Sequence, residues 1–115
     1  MYIGNFSNKE DVASRFAIDL KSVEDCNILL AWYGYGSYDG SAFVLFECDG
    51  KLYEVNGGHC SCYGLEGQWS PEETSVEALK ARIKNGSLGR DTYYDEGVFD
   101  KKLLGVLNRY RRKVG

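Results

Sequence analysis

The dipeptide Asp49-Gly50, which stands between two β-rich runs, constrains the fold of this chain more than any other feature. Asp-Gly is a strong signal for a two-residue turn between antiparallel strands. The run 41–47 before it is apolar at both odd and even positions, which is typical of a central strand with two buried faces. The run 51–56 continues as the next strand. This part of the chain therefore predicts a β-hairpin.

A third apolar run, 26–35, precedes the hairpin and predicts the first strand of a three-stranded meander. Apolar residues at helical spacing predict helices over 8–20, 75–85 and 101–112. Their N-terminal signals are two capping boxes and one acidic cap, formed by Ser7 with Glu10, Thr74 with Glu77, and Asp100. Pro71 in Ser70-Pro71-Glu72-Glu73 predicts a further helical turn.

The order of a helix, three strands and two helices indicates the α+β class. We expect a small antiparallel β-meander of about three strands packed with about three α-helices. The chain has 115 residues, so 1–115 is expected to form a single domain.

The charge balance argues against a simple nucleic-acid-binding protein. Fourteen Lys and Arg against 17 Asp and Glu give a net charge of −3, so no direct nucleic-acid binding is expected. The basic residues at 109–113 are favourable at a helix C-terminus. No apolar stretch approaches the ~20 residues of a membrane span, and the N-terminus does not resemble a signal peptide. We therefore expect a cytosolic chain whose thiols stay reduced.

The stretch Gly57–Gly64 holds the only histidine and two of the four cysteines. Imidazole and thiolate are ligand types that zinc prefers, so His59, Cys60 and Cys62 are the predicted metal ligands. In an extended segment Cys60 and Cys62 share a face, and His59 joins them only if Gly57-Gly58 twists the chain. Such a glycine-rich loop has little order of its own. A structural zinc ion would pin it to the sheet.

A closed zinc site needs a fourth ligand. The antiparallel register brings the end of the third strand toward the connection 36–40, which favours Asp39. Glu66 is the second candidate, and water is the third, which would leave an open site as in catalytic zinc. If the first two strands are antiparallel, Cys26 lies near Cys48 at the opposite end of the meander. These two are expected to be buried core thiols.

The stretch 52–74, centred on His59-Cys60-Ser61-Cys62-Tyr63-Gly64, resembles a family of small phage and prophage proteins, and the stretch 35–45 is similar to theirs as well. The resemblance suggests a metal-containing anti-CRISPR protein of the type II-A class. It implies a phage-encoded inhibitor that acts in the host cytoplasm, binds the RNA-guided DNA nuclease of a type II CRISPR system and blocks its activity. It also implies that His59, Cys60 and Cys62 hold the zinc. It identifies no inhibitory surface, and the sequence predicts no oligomeric state.

Two alternatives belong to other functional classes. In a small zinc- or thiol-dependent hydrolase, Cys60 or Cys62 would be the nucleophile and His59 the base. A residue adjacent in sequence rarely lies over its neighbour's sulfur, and the chain holds no phosphate loop, metalloprotease helix motif or nucleophile elbow. We therefore expect no enzyme. The other alternative is a phage accessory module that binds a protein but has no role against host defence.

Overall fold

The computed structural model describes residues 2–4, 6–35, 39–60, 64–86, 88 and 99–114. In chain order the elements are β1 (Tyr2–Gly4), α1 (Lys9–Phe16), α2 (Lys21–Glu24), β2 (Asn27–Tyr35), β3 (Asp39–Cys48), β4 (Lys51–Cys60), β5 (Glu72–Thr74), α3 (Val76–Lys84) and α4 (Asp100–Val114). The predicted α+β class is confirmed. The described part of the chain holds five strands and four helices, whereas the sequence predicts about three of each.

The strands form one sheet in the order β1-β2-β3-β4-β5. β2, β3 and β4 run antiparallel and form the predicted meander. β1 pairs in parallel with β2, with Tyr2 opposite Ala31. A three-residue strand is too short to show an alternating pattern, so the sequence gives no sign of it. β5 is also a strand, and the helical turn predicted there is wrong. Glu72 and Glu73 are exposed, as charged residues on a short edge strand often are.

The turn between β3 and β4 confirms the predicted hairpin. Asp49 has φ 55° and Gly50 has φ 78°, and two positive φ values are what a type I′ turn requires. Cys48 pairs with Lys51 across this turn, and the ladder runs from there to the pair of Asp39 and Cys60. β4 therefore continues beyond the predicted strand 51–56, through both glycines of the Gly57-Gly58 pair.

The chain divides into two compact units, Met1–Glu73 and Thr74–Gly115. In the first unit, a buried cluster joins the sheet to α1 and to the segment 64–69. Trp69 packs edge-on against Phe16, with ring centroids 5.0 Å apart, and stacks on Phe46 at 5.5 Å. β3 is buried on both faces, as its pattern predicts, through Ala42, Phe43, Val44, Leu45 and Phe46. The single domain expected over 1–115 stays a prediction.

The described part of the second unit contains α3 and α4. Ser75 caps α3, since its hydroxyl accepts a hydrogen bond from the backbone N–H of Ala78 at 3.1 Å. The predicted cap, Thr74, lies one residue earlier and belongs to β5. On α4 the residues Leu103, Val106 and Leu107 are buried. Among the described residues, no helix is both long enough and apolar enough to span a bilayer.

The first helix begins one residue later than its capping box predicts. Asn8 is the N-cap, and its side chain accepts a hydrogen bond from the N–H of Asp11 at 2.8 Å. The carboxylate of Asp11 in turn accepts from the N–H of Ser7 at 2.9 Å. Ser7 therefore lies just outside the helix. Both residues are competent caps by type, so composition alone does not choose between them.

The same helix ends at Phe16, although the apolar pattern predicts helix as far as residue 20. Ala17 adopts a left-handed conformation with φ 56° and ψ 43°. The N–H of Ile18 then bonds the carbonyl of Ala13 at 2.9 Å, which is the six-residue closure of a Schellman motif. Glycine usually holds the left-handed position in this motif. With alanine there, the sequence carries no stop signal.

Substituting Ala17→Gly is expected to raise the free energy of unfolding by about 0.5–1 kcal/mol. Glycine removes the steric cost of a Cβ at positive φ, and part of that gain is offset by its freer unfolded chain. Urea unfolding measures the change. The control is Ala81→Gly at an exposed site inside α3, which should lose about 1 kcal/mol. Destabilisation of both variants to the same extent would contradict the left-handed end of α1.

Cys26 and Cys48 form a disulfide bond, which corrects the expectation of two free core thiols. Asn27 pairs with Glu47 in the β2–β3 ladder, and the cysteines stand one position further along, with their Cα atoms 4.6 Å apart. The predicted proximity is therefore confirmed. The predicted thiol state is wrong because residue type and an expected reducing compartment do not reveal local geometry, on which the bond depends.

Candidate functional site

The predicted zinc ligands lie at the open end of the β3–β4 hairpin. Asp39 and Cys60 are direct partners in the ladder, and His59 pairs with Gly40. Directly opposed residues of antiparallel strands have Cα atoms about 4.5–5.5 Å apart. The register therefore brings Asp39 beside Cys60, as the sequence predicts. Cys62 lies outside the described residues, so the full ligand set stays a prediction.

The continuity of the ladder bears on the role of His59. Gly57 pairs with Ala42 and Gly58 with Ser41 in the same unbroken register. The glycine pair therefore does not turn the chain out of the strand. Successive strand positions belong to opposite faces of a sheet, so positions 59 and 60 alternate. By backbone position, Cys60 shares a face of the sheet with Asp39, its ladder partner, and not with His59.

The side chain of Gln68 links Gly58 to Gly64, the two residues that flank the segment 59–63 with the predicted ligands. We call this junction the neck of the segment. Oε1 of Gln68 accepts a hydrogen bond from the N–H of Gly58 at 2.8 Å. Its Nε2 donates to the carbonyl of Gly58 at 2.6 Å and to the carbonyl of Gly64 at 2.9 Å. One amide thus bonds the backbone on both sides of residues 59–63. The two ends of that segment are held together by protein groups alone.

The residues around Gln68 anchor this neck to the core of the first unit. Leu65 is buried, and Trp69 packs on Phe16 and Phe46. Between them Gly67 has φ 77°, a conformation that glycine adopts without strain. The N–H of Gln68 bonds the carbonyl of Leu65 at 3.1 Å. This short turn fixes the direction from which the Gln68 amide reaches β4.

Gly57 allows the anchoring segment to approach β4 closely. A Cβ at this position would lie 3.0 Å from Cδ2 of Leu65, 3.3 Å from Oε1 of Gln68 and 3.4 Å from Cε1 of Phe16. The first two distances are shorter than ordinary van der Waals contacts, and two of the three side chains are buried. The glycine that the sequence associates with a flexible loop is therefore a packing requirement inside a strand.

Substituting Gly57→Ala is expected to lower the free energy of unfolding by about 1–3 kcal/mol, because the new methyl group overpacks a filled site. The matched control is Gly105→Ala in α4, where a Cβ meets nothing within 4 Å. That change should stabilise the chain by about 0.5–1 kcal/mol, since alanine is the better helix former. Thermal melting of both variants checks the prediction, and equal shifts would contradict the close packing at Gly57.

The alternative ligand Glu66 lies near the neck. It is exposed, and its Oε2 would lie 2.9 Å from a Cβ placed on Gly64. Its carboxylate therefore sits beside the residue that follows the segment 61–63. This position keeps Glu66 as a second candidate for the oxygen ligand.

Among the described side chains, no three His, Cys, Asp or Glu residues converge as a metal-binding group. The side chains of Asp39, His59 and Cys60 are not among those described. Zinc therefore stays a prediction that rests on residue types and backbone register.

Comparison with known proteins assigns no family. No family model, curated protein or solved structure matches the chain. The family expected from the stretch 52–74 stays a prediction.

Gln68 is the site residue that sequence reasoning missed. It is the only glutamine in the chain, and it stands between a positive-φ glycine and a half-buried tryptophan. An amide carries a donor and an acceptor side by side, so it satisfies a strand residue's N–H and C=O together. The position of this polar amide, between Gly67 and Trp69, is the sequence signal for its role.

Proposed function

We propose that the chain is a phage-encoded inhibitor that binds a host RNA-guided DNA nuclease, and that a structural zinc ion holds the end of its β3–β4 hairpin. The observation that carries the zinc part is the closed neck at Gln68 combined with the pairing of Asp39 and Cys60. A segment with both ends fixed costs less entropy to order around a metal than a free loop.

The donor set fits zinc. Cys60 and Cys62 would supply thiolates and Asp39 a carboxylate, which are ligand types found in zinc sites. His59 would add an imidazole as the fourth ligand only if the chain departs at that point from the strand alternation that separates positions 59 and 60. When bound, the ion supplies folding free energy to a segment that lacks a core of its own. The chain's own part is to bring Asp39 and Cys60 into register on two strands. Glu66 beside Gly64 is the alternative oxygen donor.

The charge of the first unit supports binding to a basic protein surface. Met1–Glu73 contains twelve acidic and four basic residues. Eight of the acidic side chains are exposed: Glu10, Asp19, Glu24, Asp25, Asp49, Glu66, Glu72 and Glu73. The nucleic-acid channel of an RNA-guided nuclease is positively charged. Complementary charge speeds association and fixes its orientation. We assign the inhibitory surface to this acidic unit.

The inhibitor proposal is tested by mixing the chain with a guide-loaded type II effector nuclease. We expect a complex on a sizing column and loss of DNA cleavage near a one-to-one ratio. The variant Glu72→Lys with Glu73→Lys should weaken the complex, more so at low salt, whereas Ser70→Ala on the same segment should not. Normal cleavage at excess protein, without co-elution, would exclude the inhibitor function for that nuclease.

A separate comparison distinguishes the structural zinc from the hydrolase alternative. If zinc is structural, Cys62→Ala should lose bound zinc and melt at a lower temperature than the parent chain. If Cys62 is a nucleophile, the same variant should keep its fold and lose turnover of an ester or peptide substrate. The matched control is Cys26→Ala with Cys48→Ala, which should keep bound zinc.

A further inference from the structure

The charge of the chain is divided between its two units. Met1–Glu73 holds twelve acidic and four basic residues, whereas Thr74–Gly115 holds ten basic and five acidic residues. The net charge of −3 is therefore the balance of an acidic unit and a basic one. Whole-chain charge is a poor guide to the partners of either unit.

The positive charge of the second unit is concentrated on its two helices. α4 carries Asp100 as its only acid against six basic residues: Lys101, Lys102, Arg109, Arg111, Arg112 and Lys113. α3 adds Lys80, Arg82 and Lys84 against Glu77. Three of the five acidic residues of this unit, Asp91, Asp95 and Glu96, lie outside the described residues.

The helix dipole does not explain the basic character of α4. It favours cations in the last turn, which lies beyond Arg109, and disfavours them in the first turn. Lys101 and Lys102 occupy that first turn, and both are exposed. No acidic residue stands three or four positions away from Lys101, Lys102 or Arg109. Ion pairs along the helix are therefore not available to these three side chains.

The neighbouring helix adds positive charge to this surface. Nζ of Lys80 on α3 donates a hydrogen bond to Oδ1 of Asn108 at 2.8 Å. This contact brings a fourth cation alongside α4. Asn108 is exposed, and a Cβ at Gly105 would meet nothing within 4 Å. The helix surface is therefore open where a phosphate backbone would approach.

We propose that the second unit binds the phosphate backbone of nucleic acid through the exposed surface of α4, using Lys101, Lys102 and Arg109 with Lys80 beside them. The whole-chain charge predicts no such binding. A nucleic acid fits better than a membrane because Leu103, Val106 and Leu107 of α4 are already buried. Leu104, 38 % exposed, is too little apolar surface for insertion into a lipid interface.

Fluorescence anisotropy with labelled 20-nucleotide duplex DNA tests this proposal on the full chain, with no nuclease present. Four phosphate contacts predict a loss of affinity of about 100-fold between 50 and 200 mM salt. Lys101→Ala with Lys102→Ala should lower the slope of log affinity against log salt by about two. It should also weaken binding at 50 mM salt more than tenfold. The matched control is Lys21→Ala with Lys51→Ala, two exposed lysines of the acidic unit, which should bind like the parent chain.

Three results would overturn the proposal. The first is an absence of binding at 50 mM salt by a chain with the parent's circular dichroism spectrum. The second is equal loss of affinity in the two lysine variants. The third is a dependence on Lys101 and Lys102 that is seen only with phosphatidylserine vesicles or in salt-sensitive self-association, and not with DNA. Because the nuclease is absent, none of these results depends on the inhibitor function.

Discussion

Reducing the disulfide between Cys26 and Cys48 is expected to lower the free energy of unfolding by about 3 kcal/mol. The bond closes a loop with a sequence separation of 22 residues, and the chain-entropy treatment of such a loop gives about that value. Its cysteines join the turn after α2 to the end of β3. Opening the bond therefore frees the unfolded chain more than it changes the folded one.

Guanidinium unfolding with and without a phosphine reductant measures this effect. A phosphine is preferable to a dithiol because dithiols also bind zinc. The variant Cys26→Ala with Cys48→Ala is the control, and its unfolding midpoint should not respond to the reductant. If the reductant leaves the unfolding midpoint of the parent chain unchanged, Cys26 and Cys48 are thiols in the folded chain and no disulfide stabilises it. In a cytoplasm that keeps thiols reduced, the fold would lack this contribution.

Replacing Gln68 by alanine is expected to cost about 2–3 kcal/mol, which corresponds to a fall in melting temperature of roughly 10 °C for a chain of this size. The change removes three hydrogen bonds at once, two to Gly58 and one to Gly64. Because the neck then opens, residues 59–63 should also become more sensitive to protease than in the parent chain.

Two further variants distinguish the loss of the amide hydrogen bonds from the general effect of shortening a side chain in this segment. Gln68→Glu keeps the acceptor for the N–H of Gly58 but loses the Nε2 donor that bonds both carbonyl groups, so at neutral pH it should be at least as unstable as Gln68→Ala. Ser70→Ala, exposed and two residues away, should melt like the parent chain. A stable Gln68→Ala would contradict the closed neck.

The central hairpin could be predicted from the sequence because several signals agree there. The Asp49-Gly50 turn, the doubly apolar β3 and the register that follows from them are all observed. That register also predicts the proximity of Asp39 to residue 60, and antiparallel pairing of β2 with β3 predicts that of Cys26 to Cys48. The position of a turn fixes the register of every residue pair in the two strands that it joins. One correctly predicted turn therefore predicts the pairing at both ends of the hairpin.

The errors occur where tertiary contacts decide the local conformation. The glycines at 57 and 58 predict a loop, but Gly57 lies in a strand, and Leu65 and Gln68 pack where its side chain would be. Ala17 ends α1 in a conformation that its residue type disfavours. The Pro71-Glu72-Glu73 stretch suits a helix start by composition, yet Glu72 and Glu73 belong to an edge strand. None of these contacts is visible in a short window of sequence.

X-ray absorption at the zinc edge, combined with elemental analysis of the purified chain, is the most direct test of the proposed zinc site. We expect one zinc per chain with two sulfur ligands and two nitrogen or oxygen ligands. Any zinc retained by Cys62→Ala should have one fewer sulfur ligand. Asp39→Ala should alter only the nitrogen and oxygen shell. A metal-free chain that takes up no added zinc, and whose melting temperature does not change with a chelator, would contradict the account.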